Sequence, residues 1–253
     1  MAVKNQLVVF DFDWSFADQD TDRYVLEVLD PKLRVSLREH KKTVQWTDNV
    51  ALHLRKLNEK GATKQQIIES LQGLPVHPAM LRGVQTAKAR TDSKTRFLCL
   101  SNSNSVYINT ILKHHNMENF FEEIITNPAE WKGNLLDLRR RVDPNGPQHG
   151  CKVGCSPNMC KEAEMALHAT GAELDAYMAR NGGWESYDRV VYVGDGGNDF
   201  CPLLRLRKGD VALVRMYREL SRRIVSEKET SPLQCTPVPW GGAWEVEKWL
   251  LEN

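Results

Sequence analysis

The sequence predicts an α/β fold: a Rossmann-like parallel sheet with helices on both faces and a helical cap inserted after the first strand. Two observations carry this prediction. Short apolar, β-branched runs alternate with stretches of helical spacing, as in a sheet covered on both faces. Residues 19–90 interrupt the alternation, because apolar side chains recur there at helical spacing and proline and glycine separate the runs. We therefore predict a core of residues 1–18 and 91–253 and a cap of residues 19–90.

The remaining elements follow in chain order. Residues 7–10, LVVF, are too short for a helix and rich in β-branched side chains, which is typical of a buried parallel strand. After the cap, similar runs predict strands at 96–100, 123–126, 189–193 and 211–214. Helical spacing predicts helices at 106–115 and 161–179, and the tail that contains Trp240, Trp244 and Trp249 is expected to pack as a closing helix. A hairpin and a long loop are expected in the proline-, glycine- and cysteine-rich residues 128–160.

Length and charge exclude several classes of protein. The 253 residues suffice for one large domain or two modest ones. Lys and Arg number 34 and Asp and Glu 33, so no global field attracts nucleic acid or a membrane surface. No apolar run approaches the roughly 20 residues of a membrane span. The first residues run directly into a strand pattern and do not resemble a secretory signal, so we expect a cytoplasmic protein.

Polar side chains follow three of the predicted strands. Asp11 and Asp13 follow the first, Ser101 follows the second, and Asp195 and Asp199 lie in the sequence GDGGND after the strand at 189–193. Because chemistry in open α/β sheets collects at the carboxyl ends of the strands, these carboxylates are expected to converge. An Asp after a strand is also often only a helix cap or a turn residue.

Converging carboxylates suit a hard cation, and Mg²⁺ takes one or two carboxylates together with water and phosphate. A carboxylate beside such an ion can attack phosphorus and form an aspartyl-phosphate, which makes Asp11 a candidate nucleophile. Asp13, two positions on, is placed to act as general acid and then as base. Ser101 could donate to phosphate oxygens, and Lys161 is the candidate lysine that balances the phosphate charge.

These motifs resemble those of the haloacid dehalogenase superfamily of phosphatases. DFDWS at residues 11–15 is similar to their first motif, Ser101 to the second, Lys161 to the third and GDGGND to the fourth. A narrower resemblance, to the PHOSPHO-type phosphatases, lies in NMCK at 158–161 and in GDGGNDFCP at 194–202. Members of that subfamily act on phosphoethanolamine and phosphocholine or on pyridoxal phosphate.

The resemblance implies roles for individual residues. It makes Asp11, Asp13, Ser101 and Lys161 catalytic, and it assigns Mg²⁺ to Asp11, Asp13, Asp195 and Asp199. It also places four residues at the substrate, namely Asp22, Asn102, Ser15 and Gly196. Asn102 stands where the ethanolamine and choline members tend to carry Asp, so a cationic head group would have one carboxylate fewer to bind. The resemblance therefore favours pyridoxal phosphate over a cationic alkyl phosphate as the substrate.

Cysteines crowd just before Lys161. His149, Cys151, Cys155 and Cys160 could together bind a structural zinc ion, although the cysteines lack the paired C-x₂-C spacing of typical zinc sites. Reduced thiols and a disulfide are the alternatives. Residues of this loop would also position Lys161.

The sequence thus predicts a Mg²⁺-dependent phosphomonoesterase that hydrolyses a small phosphorylated metabolite through an aspartyl-phosphate. A phosphotransferase or mutase on the same scaffold is one alternative, since it shares the first half of the reaction. A non-catalytic, phosphate-binding regulatory module is the other, although every motif keeps its reactive side chain.

Overall fold

A six-stranded parallel sheet forms the centre of the computed structural model, which describes residues 3–146, 157–159 and 173–253. The strands lie in the order β3-β2-β1-β6-β7-β8. Their bounds are β1 Asn5–Phe10, β2 Lys94–Asn104, β3 Glu123–Asn127, β6 Arg189–Gly194, β7 Val211–Arg215 and β8 Thr236–Trp240. A separate antiparallel hairpin consists of β4 Ala129–Lys132 and β5 Leu135–Leu138. The predicted parallel sheet is therefore confirmed.

Strand β1 lies in the middle of the sheet and is buried on both faces. Val8 and Phe10 pack into an apolar cluster that continues through the helices of residues 21–89, and Leu7 and Val9 pack into a second cluster on the opposite face. This alternation is why an uninterrupted apolar run forms a strand here: each successive side chain meets a different layer of helices.

Ten helices surround the sheet in the described ranges. Before β2 lie α1 Thr21–Leu29, α2 Pro31–His40, α3 Trp46–Glu59, α4 Lys64–Gln72 and α5 Pro78–Ala89. After it lie α6 Ser105–His114, α7 Glu173–Arg180, α8 Phe200–Leu203, α9 Glu219–Ser226 and α10 Ala243–Glu252. None of them has the length and apolar character that crossing a bilayer demands.

Local sequence explains where the helices before β2 begin. The side chain of Asp20 accepts from the backbone N–H of Arg23 and starts α1, and Asp30 caps α2. Helices α1 to α4 pack on one another, and the hairpin strand β5 packs on α3. Helix α5 instead packs on α10 and on β2, where a Cβ on Gly83 would come within 2.7 Å of the Cα of Glu247. A cap of residues 19–90 stays a prediction.

The structure differs from the sequence pattern at two places. Strand β2 runs on to Asn104 rather than ending at residue 100, because Asn127 donates to the backbone oxygens of Asn102 and Ser103. The sequence does not reveal this extension, because its side chains are polar and lack the apolar pattern of a buried strand. Trp240 ends strand β8 rather than lying in the closing helix, which begins at Ala243. The helix predicted at 161–179 is described only from residue 173 on.

Candidate active site

Three carboxylates meet at the carboxyl ends of two neighbouring strands. Asp11 follows β1, and its backbone N–H donates to the carbonyl of Val193 in β6 at 2.9 Å. Asp195 follows β6, and Asp199 ends the single helical turn that comes next. One oxygen of each of the three carboxylates lies within 4.8 Å of the others, and Asp11 and Asp199 are buried. Converging oxygen ligands of this kind can hold a hard divalent cation.

Asp199 also braces the loop that carries Asp195. Its Oδ2 accepts hydrogen bonds from the backbone N–H groups of Asp195 at 3.1 Å and Gly196 at 2.9 Å, and its Oδ1 accepts from the Tyr192 hydroxyl at 2.8 Å. Burial and the charge of Asp199 hold the pKa of Tyr192 well above its usual range, so the phenol remains a donor. A Cβ on Gly194 would lie 2.8 Å from the Asp199 carboxyl group, which explains glycine there.

Asp13 lies in a tight turn directly after Asp11. The turn is closed by the backbone N–H of Ala17 donating to the carbonyl of Phe12 at 2.9 Å, and Oδ1 of Asp13 accepts from the N–H of Thr21 at 3.0 Å. Burial, together with the charges of nearby carboxylates that include Asp20 and Asp11, raises the pKa of Asp13 well above its ordinary value. A carboxyl group in this state can give a proton to a leaving oxygen.

Asp22 lies on the side of the site that helix α1 covers. Its Oδ2 accepts from Nε1 of Trp46 at 2.8 Å, and its Oδ1 has no hydrogen-bond partner among the residues described. Burial, reinforced by the charge of Asp20, raises the pKa of Asp22 to about 7. The sequence places this residue at the substrate, and its unused oxygen suits that position.

Two residues that sequence reasoning missed belong to the same polar region. The Tyr107 hydroxyl and Nδ2 of Asn104 are buried and have no hydrogen-bond partner within the described part of the chain. Burial and the charge of Asp22 hold the pKa of Tyr107 well above its usual range. Asn104 could have been found as a polar residue at a strand end, whereas Tyr107 follows the apolar spacing of a helix and gives no such signal.

Of the remaining predicted residues, those that the structure describes lie at the end of a strand of the same sheet or follow one. Ser101 is buried at the end of β2, where its Oγ accepts from the N–H of Ser103 at 3.3 Å. Oδ1 of Asn102 and Oγ of Ser15 are buried and have no hydrogen-bond partner in the described ranges. The backbone N–H of Gly196 donates to Oδ2 of Asp199 at 2.9 Å. Lys161 and the proposed zinc ligands His149, Cys151, Cys155 and Cys160 lie outside the described residues.

A buried amide pair fixes the end of β2. Nδ2 of Asn127 donates to the carbonyls of Asn102 and Ser103, and its Oδ1 accepts from Nδ2 of Asn158 at 2.8 Å. The Asn158 amide also donates to Oγ1 of Thr47 in α3 at 3.1 Å. These bonds connect the end of β2, the segment before Lys161 and helix α3. Sequence periodicity carries no signal for them, because the partners are far apart in the chain.

The fold is that of hydrolases of the haloacid dehalogenase superfamily. A hydrolase of that superfamily from Salmonella enterica serovar Typhi superposes with a TM-score of 0.63 at 14% identity, over 99% of this chain and 72% of that chain. A substrate-bound phosphoserine phosphatase superposes with a TM-score of 0.58 at 12% identity, over 97% of this chain and 98% of that chain. At these identities the likeness is one of fold.

The chain belongs to the family described as "Putative Phosphatase", whose model matches residues 6–253. Pyridoxal phosphate phosphatase of Bos taurus is 28% identical over 96% of both chains. A thiamine phosphate phosphatase-like protein and inorganic pyrophosphatase 2, both from Arabidopsis thaliana, are 29% and 30% identical, over 97% and 100% of this chain and 94% and 85% of theirs. The predicted phosphatase of the haloacid dehalogenase superfamily, PHOSPHO-type, is confirmed.

Proposed function

We propose that this phosphatase hydrolyses a small phosphomonoester with Asp11 as the nucleophile. The observation that supports this most directly is the position of Asp11, at the end of the central strand and within 4.8 Å, between carboxylate oxygens, of Asp195 and Asp199. Asp13 follows in the same turn with a raised pKa, as a general acid requires. A nucleophile and an acid held two residues apart can act in turn on one bound phosphate.

The carboxylates fit a magnesium ion. Asp11, Asp195 and Asp199 bring three hard oxygen ligands together, and that much negative charge in a buried place needs a cation to compensate it. We propose that Asp11 and Asp195 bind the ion, together with the backbone carbonyl of Asp13, while Asp199 holds Asp195 in place through its backbone bonds. When bound, Mg²⁺ would neutralise charge on the phosphoryl oxygens.

The proposed reaction has two steps. An Asp11 oxygen attacks phosphorus, the bond from phosphorus to the ester oxygen breaks, and Asp13 gives its proton to that oxygen as the alcohol leaves. Water then attacks the aspartyl-phosphate and gives a proton to Asp13, so that phosphate leaves and both carboxyl groups return to their starting states. Ser101 donates to the phosphoryl oxygens, and we propose that Lys161 supplies the balancing positive charge.

We propose that the leaving portion of the substrate lies between α1 and the end of β2. Asp22, Asn102 and Ser15 each carry a buried oxygen with no hydrogen-bond partner in the described ranges. We propose that the Gly196 backbone also contacts the substrate. Unused donors and acceptors favour a leaving group rich in polar atoms, such as pyridoxal. A cap over residues 19–90 would close on such a small metabolite and exclude water.

Two smaller proposals complete this picture. A cytoplasmic location stays a prediction, and fractionation of cells that produce the protein would test it. A structural zinc ion at His149, Cys151, Cys155 and Cys160 stays a prediction, and metal analysis of the purified protein together with thiol counting would test it. No zinc together with reduced thiols would contradict the zinc site.

Replacing the nucleophile tests the proposed function. Asp11→Asn should lower turnover of p-nitrophenyl phosphate at least about a thousandfold, as loss of a covalent nucleophile does. Asp92→Asn, which alters an exposed carboxylate paired with Arg90, serves as the matched control and should keep full activity. EDTA should abolish the activity of the natural protein and Mg²⁺ should restore it. Near-normal turnover by Asp11→Asn would contradict the assignment.

The alternative of a phosphotransferase is separated by its products. In the presence of an acceptor alcohol, a hydrolase releases inorganic phosphate in step with p-nitrophenol, whereas a phosphotransferase releases less phosphate and forms a new ester. A panel of pyridoxal phosphate, thiamine phosphate, phosphoethanolamine and phosphocholine, compared by kcat/KM, then ranks the leaving groups.

A further inference from the structure

Trp14 is held in an unusual conformation inside the turn that carries the proposed nucleophile and acid. Its φ is 57°, a left-handed backbone conformation that is a genuine outlier for a bulky residue. Its carbonyl accepts from Nη1 of Arg215 at 2.6 Å, and Nη2 of the same guanidinium donates to Oδ1 of Asp18 at 2.8 Å. The Arg215 guanidinium also lies over the Trp240 ring, 4.9 Å from its centroid. The same guanidinium lies 5.4 Å from the centroid of the Trp14 ring, so Arg215 at the end of β7 contacts both the carbonyl and the ring of Trp14.

A second arginine stacks on this ring. Cζ of Arg218 lies 3.6 Å from the centroid of Trp14, which is van der Waals contact, and the residue is half-buried just after β7. Within residues 3–146, 157–159 and 173–253, its guanidinium forms no hydrogen bond or ion pair. A guanidinium carries five N–H donors at its edge, and stacking on a ring face leaves that edge for acceptors in its own plane.

Arg218 lies between the turn that contains Trp14 and the loop that contains Asp195, because its guanidinium stacks on Trp14 and the backbone N–H of Leu220, two residues on, donates to the carbonyl of Asp195 at 2.8 Å. Burial lowers the pKa of Arg218, and the charge of Asp195, at the proposed metal site, opposes this. Arg23 and Asp20, from the start of α1, also act on it. The Arg218 guanidinium thus lies on a residue of the turn that carries the proposed nucleophile and acid, next to the loop that carries Asp195.

We propose that Arg218, held by Trp14, binds an anionic group on the leaving portion of the substrate, either a carboxylate or a second phosphate. A half-buried guanidinium with unused donors binds a carboxylate or a phosphate most strongly, because each of these anions can accept two parallel hydrogen bonds from it. This proposal rests on the phosphatase function proposed above. It predicts that substrates with a second negative charge bind better than neutral ones of the same size.

A pair of small phosphate esters isolates the second charge. 2-Phosphoglycolate and ethyl phosphate have the same ester phosphate and the same two-carbon chain, and they differ in the carboxylate. Each is measured as a competitive inhibitor of p-nitrophenyl phosphate hydrolysis with Mg²⁺ present. In the natural protein, phosphoglycolate should bind at least about tenfold more tightly, which is the effect of one charge-assisted hydrogen-bonded contact. Arg218→Gln should reduce this preference to near parity and leave ethyl phosphate little changed.

Two further variants make the result specific. Arg222→Gln removes an exposed arginine of α9, the helix that Arg218 precedes; its guanidinium donates to the Tyr217 carbonyl at 3.0 Å, and the variant should keep the full preference. Arg218→Lys keeps the charge without the planar donor edge and should keep part of it. Circular dichroism checks that each variant is folded.

Two results would overturn the proposal. The first is a natural protein that does not distinguish the two esters. The second is an Arg218→Gln variant that weakens both esters equally, which would mean that Arg218 acts on the ester phosphate itself. Calorimetry measures the binding of both esters to the Asp11→Asn protein and does not depend on turnover. The preference for phosphoglycolate can therefore be tested even if the proposed phosphatase function is wrong.

Discussion

Asp22→Asn should make the protein more stable at neutral and alkaline pH. Asp22 is 3% exposed, and its burial beside Asp20 raises its pKa from an ordinary 3.8 to about 7. The folded state therefore holds a proton that the unfolded chain has already released. Between about pH 4 and pH 7, this linkage makes the natural protein lose stability as the pH rises. The neutral amide of the variant carries no such cost.

The size of the effect follows from the shift in pKa. A shift of about three units at 1.4 kcal/mol per unit corresponds to about 4 kcal/mol of unfolding free energy once both states of the natural protein have lost the proton. Asparagine keeps an oxygen that can accept from Nε1 of Trp46, so the hydrogen bond that Asp22 makes now should survive. The gain should thus be near zero at about pH 4 and reach its full value at about pH 8.

Urea unfolding in metal-free buffer at several pH values measures this gain directly, because bound ions then add nothing to the stability. Asp92→Asn is the control, since it alters an exposed carboxylate whose pKa is lowered by Arg90 and should not reproduce the pH-dependent gain. A gain for Asp22→Asn that is the same at low and high pH would refute the reasoning. So would a loss of stability that grows with pH.

Two further substitutions test the packing that positions the site. Gly83→Ala should lower the unfolding free energy by about 1–3 kcal/mol in urea titrations, because its Cβ would lie 2.7 Å from the Cα of Glu247 and force α5 and α10 apart; unchanged stability would contradict that close approach. Thr47→Val should cost about 1–3 kcal/mol, because it removes an acceptor from the buried Asn158 amide, and Thr47→Ser should restore most of it; equal stability of the two variants would show that the hydrogen bond contributes little.

Much of the fold could be predicted because its signal is local. The strand at residues 7–10 is visible as a short apolar run, and it is confirmed as the centre of the sheet. The extension of β2 to Asn104 was missed, because polar side chains follow its apolar part and the bonds that keep them extended come from Asn127, more than twenty residues away. The sequence predicts a helix at Trp240 for a similar reason. The pairing of Trp240 with Arg215 in β7 depends on a residue far away in the chain, and the tryptophan-rich tail gives no sign of it.

The candidate site was predicted unevenly. Asp11, Asp195 and Asp199 follow strands of one parallel sheet, so position in the chain was enough to predict that they converge, and the structure brings their oxygens within 4.8 Å. Tyr107 was missed, because a tyrosine on the buried face of a helix has the spacing of any core residue. Its relevance appears only through the charge of Asp22 nearby and through its hydroxyl, which has no hydrogen-bond partner among the residues that the structure describes.

By itself, the sequence determined the class of this protein: the sheet, the order of the motifs and the acidic residues at the strand ends are all encoded in short stretches of chain. Only the tertiary structure decided which distant side chains support those motifs. Asn158 meets Asn127 and Thr47, and Arg218 stacks on Trp14. The physical reason is that periodicity and strand-end position act over a few residues, whereas these pairs form only when packing brings remote segments into contact.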